Sequence, residues 1–97
     1  MPPAYIIANV EVRDAKTYER YRAGVPATVA QYGGEFMVRG GRWERLEGDE
    51  PKSRLVVLRF PSYERALAWY HSEEYQPLAR LRQSASEGNL VIVEGAE

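Results

Sequence analysis

The 97-residue sequence contains no cysteine and only one histidine, His71. The lack of cysteine excludes disulfide bonds, thiolate metal sites and a cysteine nucleophile. A single histidine among scattered carboxylates does not give the ligand spacing that is typical of a metal site. The composition therefore indicates a protein without a metal centre.

Sequence patterns that identify a location or a cofactor are also missing. There is no apolar run of about 18 residues, so we expect no membrane span. The N-terminal segment lacks the basic and apolar regions of a signal peptide, and we expect a cytoplasmic protein. The glycine pairs at 33–34 and 40–41 lack both the spacing of a dinucleotide-binding motif and the lysine of a phosphate-binding loop. We therefore expect no cofactor.

The charges are nearly balanced, with 13 basic and 14 acidic residues and a net charge of -1. Proteins that bind nucleic acid usually carry a basic excess or a basic stripe, so we expect no nucleic-acid partner. No serine–histidine–acid arrangement or glycine–serine elbow indicates nucleophilic catalysis. The sequence alone does not identify a reaction.

What the sequence does contain is an alternation of strand and helix patterns. Strands are predicted at 4–12, 35–47, 54–60 and 89–94, with one helical segment after the first strand and another after the third. The order is βαββαβ, and the length fits one domain over residues 1–97. This order predicts a ferredoxin-like α+β fold, in which both helical segments cover one face of an antiparallel sheet.

The first helical segment has clear signals at both ends. Asp14 is placed to cap its N-terminus, and the glycine pair at 33–34 is placed to end it. Gly24 and Pro26 fall inside the helical pattern, so we expect a kink or a frayed middle there. Six residues recur at helical spacing and should face the sheet: Tyr18, Tyr21, Val25, Thr28, Val29 and Tyr32.

The second helical segment is predicted to be broken. Ser62 is an N-cap candidate for a helix over 63–71. Ser72, followed by two glutamates and by Pro77, resembles a second helix start, which predicts another helix over 74–84. We therefore expect a tight break near Ser72.

Glycines outside the helices indicate where strands bend or end. The pair at 40–41 is predicted to form a bulge or a bend inside the second strand. Residues 48–53 are predicted to form the hairpin connection to the third strand. Gly88 is expected to end the helical segment and to release the last strand.

The alternation along each strand assigns its residues to two faces of the sheet. The set expected under the helices is Ile6, Ala8, Val10, Val56, Leu58, Phe60, Val91 and Val93. The opposite, mixed set is Tyr5, Ile7, Asn9, Met37, Arg39, Leu55, Val57, Arg59, Leu90, Ile92 and Glu94. The mixed set is too apolar for a solvent face and too polar for a dry core, which predicts a homodimer whose sheets enclose a partly polar cavity. The alternative is a face covered by its own side chains and by the termini.

The mixed face supplies the first candidate ligand-binding residues. Arg39 precedes a glycine pair that would let a ligand come close, and its guanidinium could hold a carboxylate or a phenolate. Asn9 could orient that ligand, and Arg59 and Glu94 would be further polar groups in the cavity. The competing interpretations are an ion pair of Arg39 with Glu94 or Glu11, and an Asn9 side chain that satisfies a strand-edge carbonyl.

Two further candidates lie in the broken helical segment. Trp69 could line an aromatic pocket, although an aromatic residue at helical spacing is more often part of a core. His71 could act as a general base near neutral pH, or could be a half-exposed histidine favoured by the dipole at a helix C-terminus.

Four segments together resemble the DUF1330 family, which belongs to the dimeric α+β barrel superfamily. They are YGGEFMVRGG at 32–41, FPSYE at 60–64, AWYHSEEY at 68–75 and EGNLVIVEG at 87–95. The resemblance implies the ferredoxin-like fold and a homodimer, and it implies no activity. The position of His71 is more typically asparagine in this family, so a catalytic histidine there would be peculiar to this protein.

Two functional hypotheses follow. The first is a dimeric protein that binds a small anionic or aromatic molecule at the sheet face, with or without a cofactor-free reaction. The alternative is a non-catalytic assembly or stress-related interaction protein. Fold analogy alone cannot choose between them, because the superfamily hosts several unrelated activities.

Overall fold

The computed structural model of the protein describes residues 1–96, which form a four-stranded antiparallel sheet and three helices. The strand order is β2-β3-β1-β4, which is the order of a ferredoxin-like sheet. The predicted fold class is therefore confirmed. The elements are β1 (Ala4–Val12), α1 (Ala15–Gln31), β2 (Glu35–Arg39), β3 (Arg54–Phe60), α2 (Tyr63–Tyr70), α3 (Gln76–Ala85) and β4 (Ser86–Glu94).

Helix α1 is capped as the sequence predicts. The Asp14 carboxylate accepts hydrogen bonds from the backbone amide of Thr17 at 3.2 Å and from its hydroxyl at 2.8 Å. The hydrogen bonds from Thr17 lower the pKa of Asp14. Gly33, just after the helix, has φ of 77°, the left-handed conformation that commonly follows a helix C-terminus.

The frayed middle expected in α1 is absent, because the helix continues without interruption through Pro26. Packing holds this part of the helix. Val25 and Val29 are buried in the core, and Gly24 lies so close to Leu78 that a Cβ atom there would meet its side chain at 2.9 Å. Tertiary contact thus overrides the local preference for a break.

The break in the second helical segment is confirmed. Helix α2 starts at its cap Ser62, which accepts from the Arg65 amide at 3.1 Å. After α2, the Ser72 hydroxyl donates to the Trp69 carbonyl at 2.7 Å and accepts from the Tyr75 amide at 3.1 Å. One serine side chain therefore satisfies a carbonyl left at the end of α2 and an amide at the start of α3. Helix α3 starts at 76, two residues later than predicted.

The expectation for the second strand was wrong in its length and in the place of its bulge. Strand β2 ends at Arg39, and residues 40–53 form the connection to β3. The register shifts between Phe36 and Val38, so Met37 is the extra residue of a bulge. Gly40, with φ of 69°, turns the chain away from the sheet.

The last strand also differs from the prediction. Strand β4 starts at Ser86, so Gly88 lies within the strand, opposite Val10. Its φ is 147°, and a Cβ atom there would collide with the Asn9 carbonyl oxygen. Glycine at this position lets two strands approach each other closely, and it does not end a helix as predicted.

The predicted faces of β4 are reversed in the structure. Leu90 pairs with Ala8 and Ile92 pairs with Ile6, so both lie under the helices. Val91 and Val93 therefore lie on the opposite face, which we call the open face, and are 49% and 46% exposed. A shift of one residue exchanges the two faces of a strand. Every residue from 90 to 93 is apolar, so alternation could not fix the parity.

The core lies between the sheet and the helices and is centred on Trp69. This side chain is fully buried, and its indole N–H donates to the Thr28 hydroxyl at 3.0 Å. The Trp69 and Tyr75 ring centroids are 4.0 Å apart, and those of Trp69 and Phe60 are 5.4 Å apart. The inward face predicted for α1 is confirmed, since its members are buried or half-buried.

Candidate functional site

The six ligand-binding residues predicted from the sequence do not come together. Arg59 lies on the open face, where its guanidinium is 3.7 Å from the Glu35 carboxylate. Asn9 is engaged with the loop before β3. Its side-chain amide donates to the carbonyls of Lys52 at 3.1 Å and Arg54 at 3.3 Å, and its oxygen accepts from the Lys52 amide at 3.0 Å. The structure thus gives Asn9 the backbone-satisfying role that was the alternative.

The other expected residues lie in different surroundings. Trp69 is in the core, and His71 is exposed at the C-terminal cap of α2, with its ring edge-on to Tyr70 at a centroid distance of 5.1 Å. Glu94 is exposed at the end of β4 and pairs with Ala4, whose side chain belongs to the core under the helices. The placement of Glu94 on the mixed face with Arg59 was therefore wrong.

Arg39 is also on the face opposite to the predicted one. Because Met37 is an extra residue, the alternation of β2 changes after it, and Arg39 pairs with Val56 on the helix side of the sheet. Its guanidinium carbon lies 4.5 Å from the centroid of the Phe36 ring. The bulge thus moves Arg39 from the open face to the edge of a cavity inside the protomer.

This cavity of about 30 Å³ lies between the helix side of the sheet and helices α1 and α3. Its apolar walls come from all four strands of the sheet and from side chains of the helices. The lining residues are Ile6, Ala8, Tyr18, Tyr21, Arg22, Val25, Phe36, Arg39, Arg54, Val56, Leu58, Trp69, Arg82 and Leu90. We call it the arginine cavity, because four of these residues are arginines and none is an acid.

The four arginines come from four different elements: Arg22 from α1, Arg39 from β2, Arg54 from β3 and Arg82 from α3. Arg82 is only 7% exposed. The Nε atoms of Arg22 and Arg54 and one terminal nitrogen of Arg82 are buried, and none of them donates to any group that the structure describes. Buried donors normally have a hydrogen-bond acceptor, so these three nitrogens are unpaired donors at a cavity whose walls are otherwise mainly apolar.

Neighbouring groups hold two of the guanidiniums in place. The guanidinium carbon of Arg54 is 5.6 Å from the centroid of the Tyr18 ring. Gly40 leaves room for it, because a Cβ atom at that position would collide with a terminal nitrogen of Arg54. Arg22 directs one terminal nitrogen to the Glu19 carboxylate at 3.0 Å, near the surface.

Arg39 is held by a bond that depends on Pro26. In an α-helix the carbonyl of Arg22 would accept from the amide of residue 26, but proline has no amide hydrogen. The Arg39 guanidinium donates to this carbonyl instead, at 3.0 Å. Pro26 thus leaves free an acceptor that ties β2 to α1 beside the cavity.

Two tyrosines complete the polar groups around the cavity. The hydroxyls of Tyr21, which lines the cavity, and Tyr75 are 2.9 Å apart. Burial raises the pKa of both phenols, so both remain neutral at physiological pH. One hydroxyl must donate to the other, which leaves one proton free for a further acceptor.

Chemically, the arrangement can bind an anion and position it against apolar walls. Among residues 1–96 there is no group of three or more histidine, aspartate or glutamate side chains that could hold a metal ion. No helix within residues 1–96 is long and apolar enough to cross a membrane.

The site residues predicted from the sequence did not include Arg22, Arg54 and Arg82. One signal was available, since Arg82 lies on the inner face of α3 with Tyr75 and Ala79, and all three are buried. A charged residue on the apolar face of a helix indicates either a buried partner or a ligand.

Comparison with known proteins places the chain in a family. The family model described as a domain of unknown function, DUF1330, matches residues 3–96. The chain belongs to the DUF1330 family. No curated protein matches the sequence. The family description assigns no activity to this DUF1330 protein.

Solved structures confirm the fold at low sequence identity. A protein of unknown function from Rhodopseudomonas palustris is 19% identical, with a TM-score of 0.80 over 99% of this chain and 84% of that chain. SnoaB, a cofactor-independent oxygenase from Streptomyces nogalater, is 13% identical, with a TM-score of 0.66 over 100% and 96%. A conserved protein from Methanosarcina mazei is also 13% identical, with a TM-score of 0.59 over 99% and 95%. Likeness at these identities extends to the fold of the DUF1330 chain and not to an activity.

Proposed function

We propose that the protein binds a small organic anion in the arginine cavity. The observation that carries the proposal is that four arginine side chains from four elements line one cavity that no acid lines. Guanidinium groups stay charged in folded proteins, and a buried charge without a partner costs several kcal/mol. An anion would offset that cost by pairing with the unsatisfied nitrogens of Arg22, Arg54 and Arg82.

The dimensions of the cavity favour a ligand with a compact charged head. Roughly 10–15 Å³ of cavity volume holds one water molecule, so about 30 Å³ holds a group of a few heavy atoms. Arg39 lines the cavity and is itself exposed, which supports an anion whose remaining atoms lie at this edge. The buried nitrogens of Arg22, Arg54 and Arg82 would then hold the charged head, and the rest of the ligand would lie beside Arg39.

The proposal is tested by calorimetric titration of the full-length protein with acetate, benzoate and inorganic phosphate, each against a neutral partner such as acetamide or benzamide. Anions should bind and their neutral partners should not. Arg82→Met removes the charge at similar size and should weaken the binding of any bound anion roughly ten- to a hundredfold.

Arg59→Met is the matched control, because Arg59 is a half-exposed arginine on the open face, outside the cavity. It should leave the affinity unchanged. The proposal fails if none of the three anions binds, or if Arg82→Met and Arg59→Met change the affinity equally.

A second proposal concerns the homodimer that was expected from the mixed face of the sheet. We infer that the protein forms a homodimer through the open face. Large apolar side chains remain exposed on this side, with Val38 at 39%, Met37 at 53%, and Val91 and Val93 near one half. Tyr5, Ile7 and Val57 on the same face are half-buried. A contiguous apolar surface of this kind is typical of an interface, and covering it would not block the arginine cavity on the other side of the sheet.

A further inference from the structure

We infer that the anionic head of the ligand carries two negative charges in one compact group, as in a phosphate or a phosphate ester, rather than one charge as in a monocarboxylate or a phenolate. This inference rests on the proposed anion site. Three features of the arginine cavity support it: its charge, the number and origin of its free donors, and its size.

The charge of the cavity exceeds what a single negative charge can balance. Of its four guanidiniums, only Arg22 has a carboxylate partner among residues 1–96, namely Glu19. Arg39, Arg54 and Arg82 form no ion pair with any carboxylate in that part of the chain. A singly charged ligand would therefore leave two of these guanidiniums without a counter-charge at the same cavity, and like charges repel.

The tyrosines do not supply the missing negative charge. Burial raises the pKa of Tyr21 and of Tyr75, so neither phenol ionises near neutral pH. When Tyr75 donates to Tyr21, the Tyr21 hydroxyl proton is free to donate to a ligand, which adds to the preference for an acceptor with many lone pairs. The compensating charge must then come from the ligand.

The free donors match a group with several oxygens. Three buried nitrogens without partners come from Arg22 on α1, Arg54 on β3 and Arg82 on α3, so they approach from different sides of the cavity. A carboxylate offers two oxygens in one plane, whereas the head of a phosphate ester offers three terminal oxygens that point in different directions. Arginine is also the side chain that most often binds phosphate through paired hydrogen bonds.

The size of the cavity separates a phosphate from a dicarboxylate. Two charges on separate carboxylates need space for two groups and the atoms that join them. The space of about 30 Å³ holds one compact head, and a second carboxylate would lie outside it, away from the buried nitrogens of Arg22, Arg54 and Arg82. The two charges are therefore expected on the same central atom.

Four probes test the inference in a two-by-two design, by calorimetric titration of the full-length protein at pH 8 and fixed ionic strength. Acetate and benzoate carry one charge, and inorganic phosphate and phenyl phosphate carry two. Acetate and phosphate have no ring, whereas benzoate and phenyl phosphate have one. Each doubly charged probe should bind at least tenfold more tightly than its singly charged counterpart. Tighter binding of the probes with a ring would favour an organic ester as the ligand, and equal binding would favour free phosphate.

The pH dependence gives an independent readout. A phosphate ester loses its second proton at about pH 6, so phenyl phosphate should bind more tightly as the pH rises from 5 to 8. Sulfate keeps two charges over this range and should show no such rise. The cavity is lined by arginines, tyrosines and apolar residues, without histidine or carboxylate, so the change belongs to the ligand.

Two variants separate the outcomes. Arg82→Met should abolish the preference for two charges. Arg39→Met, at an exposed position that tolerates substitution, should reduce this preference, and it serves as the test if the buried Arg82→Met variant does not fold. If acetate and benzoate bind as tightly as the phosphates, the double charge is refuted while the anion site stands. If no probe binds, or if every probe binds to both variants as tightly as to the natural chain, the anion site is refuted as well.

Discussion

At the scale of single residues, a few side chains do more than their position in the sequence indicates. The Ser72 hydroxyl bonds to both ends of a helix break, and the Thr28 hydroxyl receives the indole proton of Trp69 inside the core. Gly40 combines two roles, a left-handed backbone conformation and space for the guanidinium of Arg54. Its substitution is therefore informative about both stability and binding.

Gly40→Ala should lower the free energy of unfolding by about 1–2 kcal/mol, the usual cost of a side chain in the left-handed region. It should also weaken anion binding, because the new methyl group displaces the Arg54 guanidinium. Gly48 has φ of 77° and open space around it, so Gly48→Ala should cost similar stability without affecting binding.

Gly41→Ala is the second control, since a Cβ atom there meets nothing within 4 Å. It should change neither quantity. Urea denaturation and calorimetric titration with phosphate measure the two effects. Equal binding by the Gly40 and Gly48 variants would show that the contact with Arg54 is irrelevant to the site.

At the scale of elements, the bulge in β2 and the proline in α1 act on the same side chain. The bulge at Met37 brings Arg39 to the helix side of the sheet, and Pro26 leaves the Arg22 carbonyl free to accept from it. By itself, a bulge interrupts the hydrogen-bond ladder of a strand, and a proline removes a hydrogen bond from a helix. Together they tie the edge strand to the helix that covers it.

A double-mutant cycle between these elements tests the link. Arg39→Met should cost about 0.5–1 kcal/mol of stability in the natural chain, because the Arg22 carbonyl loses its donor. In the Pro26→Ala background the helix itself supplies an amide for that carbonyl, and Arg39→Met should cost less. Urea denaturation of the four proteins gives the coupling energy. An equal cost of Arg39→Met in both backgrounds would refute the role assigned to Pro26.

At the scale of the whole molecule, the two faces of the sheet have separate roles in our proposals. The helix side contains the core and the arginine cavity, and the open face carries exposed apolar residues. A domain of 97 residues buries a modest core, so a dimer interface on the open face would add to its stability. Assembly and binding can then be altered independently.

Val93→Asp should dissociate the dimer, because it places an unpaired charge in the apolar interface. Leu46→Asp is the matched control, since Leu46 is 86% exposed in the connection between β2 and β3. Sedimentation equilibrium at micromolar concentration should give a dimer for the natural chain and the control and a monomer for Val93→Asp. A natural chain that sediments as a compact monomer would refute the interface.

The sequence by itself determined the features that depend on local signals. The order of strands and helices, the cap at Asp14 and the break near Ser72 were all predicted, and the structure confirms them. Each follows from a residue whose side chain acts within a few positions of itself in the chain. The resemblance to DUF1330 proteins, carried by four short segments, also agrees with the family match.

Only the tertiary structure decided the features that depend on pairing between distant segments. The face of each residue in β4 is set by its register against β1, and the apolar run from 90 to 93 carries no alternation that could fix it. The bulge at Met37 is set by pairing with β3, and it reverses the side on which Arg39 lies. The arginine cavity follows from both, because its four guanidiniums lie far apart in sequence and meet only when the sheet and the helices have packed.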